Sequence, residues 1–364
     1  MDIAPPEIWT TISAYACTDA GSTGRSLSLV SKFIRDVSAP FKLQSMSIHG
    51  RQQAVAFQDL LLRTPPHLRR VRYLYLSSTL HCPSPMGVAD SDSEEASDSF
   101  EAVMALRQPR KRKTWYAILK ERQKEVQQQQ QIVIALNRVL QTTAEWVEVL
   151  YLDDHDPFHV SDSPLIIFPR LEELASSSFP IHDSPDDGNG PRALAVCPKL
   201  RRWHLMSLPI MQFRGREGDI LSTIAAIAPS ITHLFFSDFQ QEILFPSDLK
   251  FALDVIEPQQ SSFRTVLTYT SGLNQPTSYI GRLPKSIENV YVKPAPPPSP
   301  GRCGYSYMCY ESLKGDLEAL SRTDSRIVLL PSYVDHRARC TVSGWEERID
   351  GGDGCWSLHE RITT

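Results

Sequence analysis

PKLRRWHL at residues 198–205 and PSITHLFF at residues 229–236 share one spacing of apolar side chains. In each, an apolar anchor is followed three and five residues later by two more apolar residues. The two-residue step at the end is that of a strand with one buried face, and the anchor begins the turn into that strand. The same triplet recurs along the chain as Val71, Leu74, Leu76; Val147, Leu150, Leu152; Leu171, Leu174, Ser176; Leu200, Trp203, Leu205; Ile231, Leu234, Phe236; and Ile287, Val290, Val292.

The spacing of these triplets predicts a repeating architecture. Successive anchors from Val147 to Ile231 lie 24, 29 and 31 residues apart, and helix-forming stretches such as GDILSTIAAIAP (218–229) and PSDLKFALDVIE (246–257) lie between triplets. A strand-and-helix unit of this length cannot bury its own apolar face, so stacked neighbours must supply the core. The sequence therefore predicts an α/β fold in which residues 49–330 form an irregular leucine-rich-repeat-type solenoid.

Along each strand, the side chains that alternate with the apolar triplet residues are expected on the face opposite the core. They mix aromatic rings with charges of both signs, which is typical of a protein-binding surface. The alternative is that most of them are ordinary solvated side chains, because few residues of any interface matter energetically. The candidates for binding a protein target are Tyr151, Arg201, Arg202, His204, His233, Phe235 and Tyr291.

Residues 3–48 predict a compact unit of three short helices ahead of the repeats. Pro5 and Pro6 suit a helix entry, and apolar residues then recur near helical spacing. The stretch RSLSLVSKFIRDV (25–37) places four apolar residues on one face, and Pro40 ends it. A unit this small carries more apolar positions than it can bury. From the residues alone, these positions either dock on another chain or pack on the first repeat.

APPEIWTTISAYA (4–16) followed by SLSLVSKFIRDVSAPFKLQSMSI (26–48) resembles an F-box, in particular the divergent kind that precedes degenerate leucine-rich repeats in fungal proteins. The resemblance implies a substrate-recognition adaptor of a Skp1–cullin–F-box ubiquitin ligase, with the helices on Skp1 and the repeats on a protein target that is marked for ubiquitin-dependent degradation. A scaffold or interaction protein that acts outside any ligase is the alternative. The residues that match the Skp1-binding positions of the motif are Pro5, Ile8, Ile12, Leu27, Val30 and Ile34.

Composition and the absence of catalytic motifs argue against several classes of function. The 364 residues carry a formal net charge of −4, which does not favour nucleic acid as a partner. We expect neither secretion nor a membrane span, and seven scattered cysteines without a CxxC pair suggest reduced intracellular thiols. No GxSxG, HExxH, GxGxxG or phosphate-loop motif occurs. The sequence therefore predicts a noncatalytic protein without cofactor or metal.

Three further segments lie outside the repeated triplets. Residues 83–113 carry a block of acids followed by a block of bases, which predicts a disordered surface insert. Its basic run PRKRK (109–113) leaves nuclear import open beside a cytoplasmic location. The stretch 114–146 then predicts a helix of about eight turns. Residues 331–364 form a C-terminal extension for which the sequence suggests no role.

Overall fold

The computed structural model of the chain shows an α/β fold with one parallel sheet. Within the described residues it contains nine α-helices and eight strands. Those residues are 4–77, 115–153, 165–177, 195–206, 220–239, 245–254, 281–298, 304–333 and 342–356.

Three helices precede the sheet: α1 (Pro6–Ala16), α2 (Ser22–Val30) and α3 (Lys32–Ser38). Ser31 separates the last two, because its backbone is extended and its hydroxyl accepts a 3.1 Å hydrogen bond from the backbone N–H of Ile34. A serine in this role is a typical N-cap, and it divides the apolar face that the sequence predicted over residues 25–37 between two helices. The Gln44 side chain then ties the unit to the sheet by donating a 2.9 Å hydrogen bond to the carbonyl of Ala14.

The strands follow the predicted triplets, and the helices lie between them. The strands are β1 (Ser45–His49), β2 (Tyr73–Ser77), β3 (Val149–Asp153), β4 (Glu173–Ser176), β5 (Arg202–Met206), β6 (His233–Phe239), β7 (Asn289–Pro294) and β8 (Ile327–Leu329). The further helices are α4 (Gly50–Arg63), α5 (Trp115–Thr143), α6 (Ile220–Ile227), α7 (Phe245–Ala252), α8 (Tyr305–Thr323) and α9 (Val342–Ile349), with short 3-10 turns at Pro66–Leu68 and Gly354–Trp356.

The sheet order is the sequence order, from β1 at one edge to β8 at the other, and every neighbouring pair is parallel. The register aligns the last two members of each triplet into two rows that cross the sheet. The first row is Met46, Leu74, Leu150, Leu174, Trp203, Leu234, Val290 and Ile327. The second row is Ile48, Leu76, Leu152, Ser176, Leu205, Phe236, Val292 and Leu329.

Helices α4 to α8 bury these two rows. Phe57 of α4, Leu140 of α5, Ile224 of α6, Leu249 of α7 and Leu317 of α8 belong to the same buried apolar cluster as the rows. Burying a side chain of this size contributes about 1.5–3 kcal/mol, so burial of these rows stabilises the fold. These five helices together therefore cover this face of the sheet.

Most of the predicted elements are confirmed. All six triplets coincide with strands β2 to β7, their anchors are buried, and the long predicted helix is α5. Strand β1 and helix α4 were not predicted, although Met46 and Ile48 show the same two-residue step. The expected domain boundary at residue 48 falls inside β1. The predicted insert at 83–113 lies outside the described residues.

Candidate protein-binding surfaces

The three N-terminal helices pack together through small residues. Ser13 of α1, Gly24 and Ser28 of α2 and Ser38 of α3 are buried. A Cβ atom added to Gly24 would lie 2.6 Å from the carbonyl oxygen of Lys42, so the α2 backbone directly touches the loop that follows α3. Small residues allow this close packing, but they bury little apolar surface.

The outward faces of these helices carry most of their large apolar side chains instead. Tyr15 is 79% exposed and Leu29 is 74% exposed. An amphipathic helix on the surface of a monomer normally has the opposite arrangement, with its large apolar residues inside. Large apolar side chains left in water are typical of a surface that a partner covers. The exposed set comprises Ile8, Ile12, Tyr15, Leu29, Val30 and Phe33.

The six residues matched to the Skp1-binding motif are not all accessible. Pro5, Ile8, Ile12 and Val30 are exposed, and Leu27 is half-buried. Ile34 is buried, so it contributes to the packing of the helices rather than to an outer surface. The exposed Leu29 and Phe33, which the motif match did not single out, lie beside Val30 and Ile34 in the sequence.

A second surface is the sheet face opposite α4 to α8, which we term the second face. Its side chains alternate with the core rows along each strand and form three rows. The first row is Ser45, Tyr73, Val149, Glu173, Arg202, His233 and Asn289, and the second is Ser47, Tyr75, Tyr151, Ala175, His204, Phe235, Tyr291 and Val328. The third row is His49, Ser77 and Asp153 on β1 to β3 and Met206, Ser237 and Lys293 on β5 to β7. Many of these side chains are apolar, and parallel strands commonly have both faces covered.

The chain's own C-terminal segment, residues 342–356, covers the middle of the second face. It consists of α9, a glycine-containing turn and the 3-10 turn Gly354–Trp356. Trp345 is 0% exposed, and its ring centroid lies 5.9 Å from that of Tyr75. Its apolar cluster also contains Val149, Tyr151, Ala175, Met206 and Ile349. The segment is therefore packed against strands β2 to β5 through an apolar contact.

A buried carboxylate marks the polar centre of this contact. Glu173 is 1% exposed, and its Oε2 accepts a 2.7 Å hydrogen bond from Nε of Arg348 in α9. The hydroxyl of Tyr151 donates a 2.8 Å hydrogen bond to Oε1 of the same carboxylate. A guanidinium nitrogen of Arg202 lies 3.9 Å from Oε2. The charge of Glu173 is thus balanced from both the sheet and the segment.

Trp356 occupies an aromatic socket on strands β5 to β7. Its ring centroid lies 5.9 Å from that of Phe235 and 6.2 Å from that of Tyr291. His204 and His233 contribute further edge contacts at 6.4 and 6.3 Å, and the guanidinium carbon of Arg202 lies 5.9 Å from the Trp356 ring. Such geometries are favourable for aromatic and cation–π pairs.

Most of the predicted target-binding residues therefore lie at or beneath the C-terminal segment. Tyr151, His204 and Phe235 are buried, while Arg202, His233 and Tyr291 are half-buried. Arg201 is exposed, and it precedes β5 rather than lying within it. The structure brings six of the seven onto one face but covers them with residues 342–356.

Electrostatics at this contact follow from burial and from the two arginines. Burial lowers the pKa of His233, and the nearby charge of Arg202 lowers it further. Burial opposes the charge of Arg348, but attraction to Glu173 and their hydrogen bond outweigh it and raise the pKa of that guanidinium. His233 thus favours its neutral form and Arg348 its charged form.

Elsewhere, burial suppresses the chemistry of two cysteines. It raises the pKa of Cys17 to about 11 and that of Cys197 to about 12, so both thiols stay protonated near neutral pH. Among the described residues, no group of three or more His, Cys, Asp or Glu side chains is placed to hold a metal ion.

Comparison with known proteins found no match for this chain: no family model, curated protein or solved structure matches it. Across the segments that the structure describes, no helix has both the length and the apolar character needed to cross a membrane.

Sequence reasoning missed Trp345, Arg348 and Trp356. They lie in a stretch rich in glycine and charge that has neither helical nor strand periodicity over its full length. The available signal was two tryptophans close together in otherwise polar sequence, because large aromatic residues are seldom left in water without a partner. A second signal was on the strands, where apolar residues such as Val149 and Met206 occupy the face that was expected to be open.

Proposed function

We propose that this chain is a substrate-recognition adaptor of a Skp1–cullin–F-box ubiquitin ligase. The observation that carries the proposal is the inverted pattern of α1 to α3, in which all buried residues except Ile34 are small and most large apolar residues are exposed to water. The motif resemblance of residues 4–48 then gives the partner that would cover this surface, a Skp1-like protein. The adaptor itself performs no chemistry.

Docking would depend on a few apolar anchors. Ile8 and Ile12 lie on one side of α1, and Val30 ends α2 with Leu29 beside it. Interfaces typically derive most of their affinity from a few such residues surrounded by contacts that exclude water. Ile34 would support the surface from inside, because it is part of the packing of these helices.

The rest of the chain would hold the target. A parallel sheet in strict sequence order, with helices on one face, supports its interpretation as an irregular leucine-rich-repeat-type solenoid. In such a solenoid the second face is a broad surface for protein binding. Holding a target near a ligase scaffold accelerates ubiquitin transfer because it raises the effective concentration of the two reactants.

Co-purification with Skp1 tests the docking surface. The double variant Ile8→Asp and Val30→Asp places two charges in the exposed apolar set, so we expect it to lose Skp1 while its thermal unfolding stays close to that of the unaltered chain. The matched control is Leu60→Asp with Leu62→Asp, which places two charges on exposed leucines of α4 and should retain Skp1. Skp1 binding that survives in the first variant would refute the assignment.

Recovery of a cullin separates the ligase adaptor from a scaffold that acts outside a ligase. The adaptor predicts that cullin accompanies Skp1 on the unaltered chain and that both are lost together from the Ile8→Asp and Val30→Asp variant. Skp1 without any cullin, under conditions in which a known adaptor recovers both, would favour the scaffold.

A further inference from the structure

We propose that the second face is a peptide-binding surface, that residues 342–356 occupy it reversibly, and that its external partner is a protein segment of the same chemistry. That chemistry is two bulky aromatic side chains on either side of an arginine. The inference deepens the proposed function: it rests on that function only where it identifies the external partner as the ligase target. The binding surface itself is defined by the contacts of the C-terminal segment alone.

The face offers three distinct sites for three side chains of the segment. An apolar socket that includes Tyr75 and Met206 takes Trp345, and the carboxylate of Glu173 takes Arg348. The aromatic socket formed by Phe235, Tyr291 and their neighbours takes Trp356. All three sites are built from strand residues, so a peptide from another chain with the same side chains can use them. Peptide recognition of this kind depends on a few anchors in preformed pockets.

The covered arrangement also carries a cost that favours release. The indole nitrogens of Trp345 and Trp356 are both buried without a hydrogen-bond partner among the described residues. A buried donor without a hydrogen-bond partner costs about 1–3 kcal/mol. This cost disappears when the segment leaves the face and water hydrogen-bonds to the indole. The helix α9 is only eight residues long, and a helix of this length is marginal without tertiary contacts. An external peptide with phenylalanine in place of tryptophan would avoid the cost of the indole.

Because the segment is part of the same chain, it competes with an external peptide for the second face. Because it is tethered to the same chain, it acts at an effective concentration of about millimolar, without any need for high affinity. An external peptide must overcome this concentration, so the unaltered chain should bind such a peptide weakly. A chain whose own segment can no longer dock should bind it strongly.

The test uses the full-length chain and a fluorescent synthetic peptide. The probe is VSGWEERIDGGDGCW, residues 342–356, with Cys355→Ser to prevent disulfide formation. The released variant carries Trp345→Ser, Arg348→Ala and Trp356→Ser, which remove the three anchors of the tethered segment. By fluorescence anisotropy, we expect the released variant to bind the probe about 10²-fold more tightly than the unaltered chain.

Two controls assign the binding to the second face. A matched variant with Tyr305→Ser, Tyr307→Ser and Arg322→Ala changes two exposed tyrosines and an exposed arginine of α8, and it should bind the probe as weakly as the unaltered chain. Adding Phe235→Ser to the released variant removes a wall of the aromatic socket and should abolish the gain. A probe with phenylalanine at both tryptophan positions should bind the released variant at least as tightly as the original probe.

Three outcomes would overturn the proposal. They are equal binding of the probe by the released variant and the unaltered chain, no binding by a folded released variant, and loss of cooperative unfolding in that variant, which would make the segment an obligatory part of the core. Skp1 co-purification is scored separately, because α1 to α3 are unchanged in every variant. Failure of the docking assignment and failure of the peptide surface are therefore distinguishable.

Hydrogen exchange of the unaltered chain provides a measurement that needs no substitution. Reversible occupancy predicts that the amides of α9 exchange through a local opening while those of β3 to β5 remain protected. Protection of α9 that equals the protection of these strands would contradict reversible occupancy.

Discussion

Arg348 donates a 2.7 Å hydrogen bond from Nε to Oε2 of Glu173, a residue 175 positions earlier in the chain. This bond joins α9 to strand β4. A buried carboxylate is tolerated only where charges and hydrogen bonds replace the water it has lost. Because α9 both covers Glu173 and supplies its closest cation, the burial of the charge and its compensation arise together when the segment docks.

Arg348→Met is expected to destabilise the chain by about 2–3 kcal/mol, below the full cost of an unpaired buried charge. The reason is that Arg202 and the hydroxyl of Tyr151 still face the carboxylate, and the segment can detach and let water reach it. The measurement is the free energy of unfolding in urea.

The matched control is Arg322→Met in α8. Arg322 forms an exposed ion pair with Glu318 at 3.6 Å, and such pairs contribute about 0.3–0.5 kcal/mol. If both variants lost the same free energy of unfolding, the bond between Arg348 and Glu173 would stabilise the chain no more than an exposed ion pair does.

The core side of the sheet was predictable because its signal is local. Leu174, Trp203 and Leu234 belong to triplets whose spacing is visible in a few residues, and they align in one row of the structure. Helix α4 carries a similar local signal, since Ala54, Phe57 and Leu61 follow helical spacing.

The cover of the second face was not predictable from such patterns. Alternation along a strand shows that Tyr151 and Phe235 lie opposite the core rows, but it does not show what covers them. The contact with Trp345 and Trp356 depends on tertiary folding across much of the chain. The residues were thus assigned to the correct face, and the intramolecular occupant of that face was missed.

Gly24→Ala is expected to destabilise the N-terminal helices by about 1–3 kcal/mol, the usual range for overpacking. The new methyl group would lie 2.6 Å from the carbonyl oxygen and 2.9 Å from the Cα of Lys42, so backbone must move. The control is Gly315→Ala in α8, where nothing lies within 4 Å of the added Cβ. That change should stabilise the chain by about 0.5–1 kcal/mol through helix propensity. Thermal unfolding of the two variants should shift in opposite directions, and a shared direction would contradict the close contact at Gly24.

His233 is expected to make stability fall in mild acid. Burial and Arg202 lower its pKa in the folded chain below the value of about 6.5 for an unfolded histidine. Between these two values the unfolded state binds more protons, so the contribution of His233 is fully present above pH 6.5 and is lost as pH falls through the folded pKa.

The measurement for His233 is the free energy of unfolding at several pH values above and below 6.5. In the His233→Gln variant we expect a smaller loss on acidification than in the unaltered chain. His67→Gln, at an exposed histidine of the turn Pro66–Leu68, should leave the loss unchanged. Identical pH profiles for His233→Gln and the unaltered chain would contradict the prediction.

Two tryptophans that pack on opposite faces of the same sheet should differ in how much free energy of unfolding is lost when each is replaced by alanine. Trp203 lies in the core row between Leu174 and Leu234, and Trp203→Ala should cost about 3–5 kcal/mol because the cavity cannot be relieved by a local rearrangement. Trp356→Ala should cost about 1–2 kcal/mol, because the C-terminal segment can detach and the loss cannot exceed its docking free energy. Urea unfolding measures both values. If both variants lost the same free energy of unfolding, the C-terminal segment would be as firmly held as the core row. A segment that can detach sets an upper limit on the stability lost with Trp356, and a core residue has no such limit.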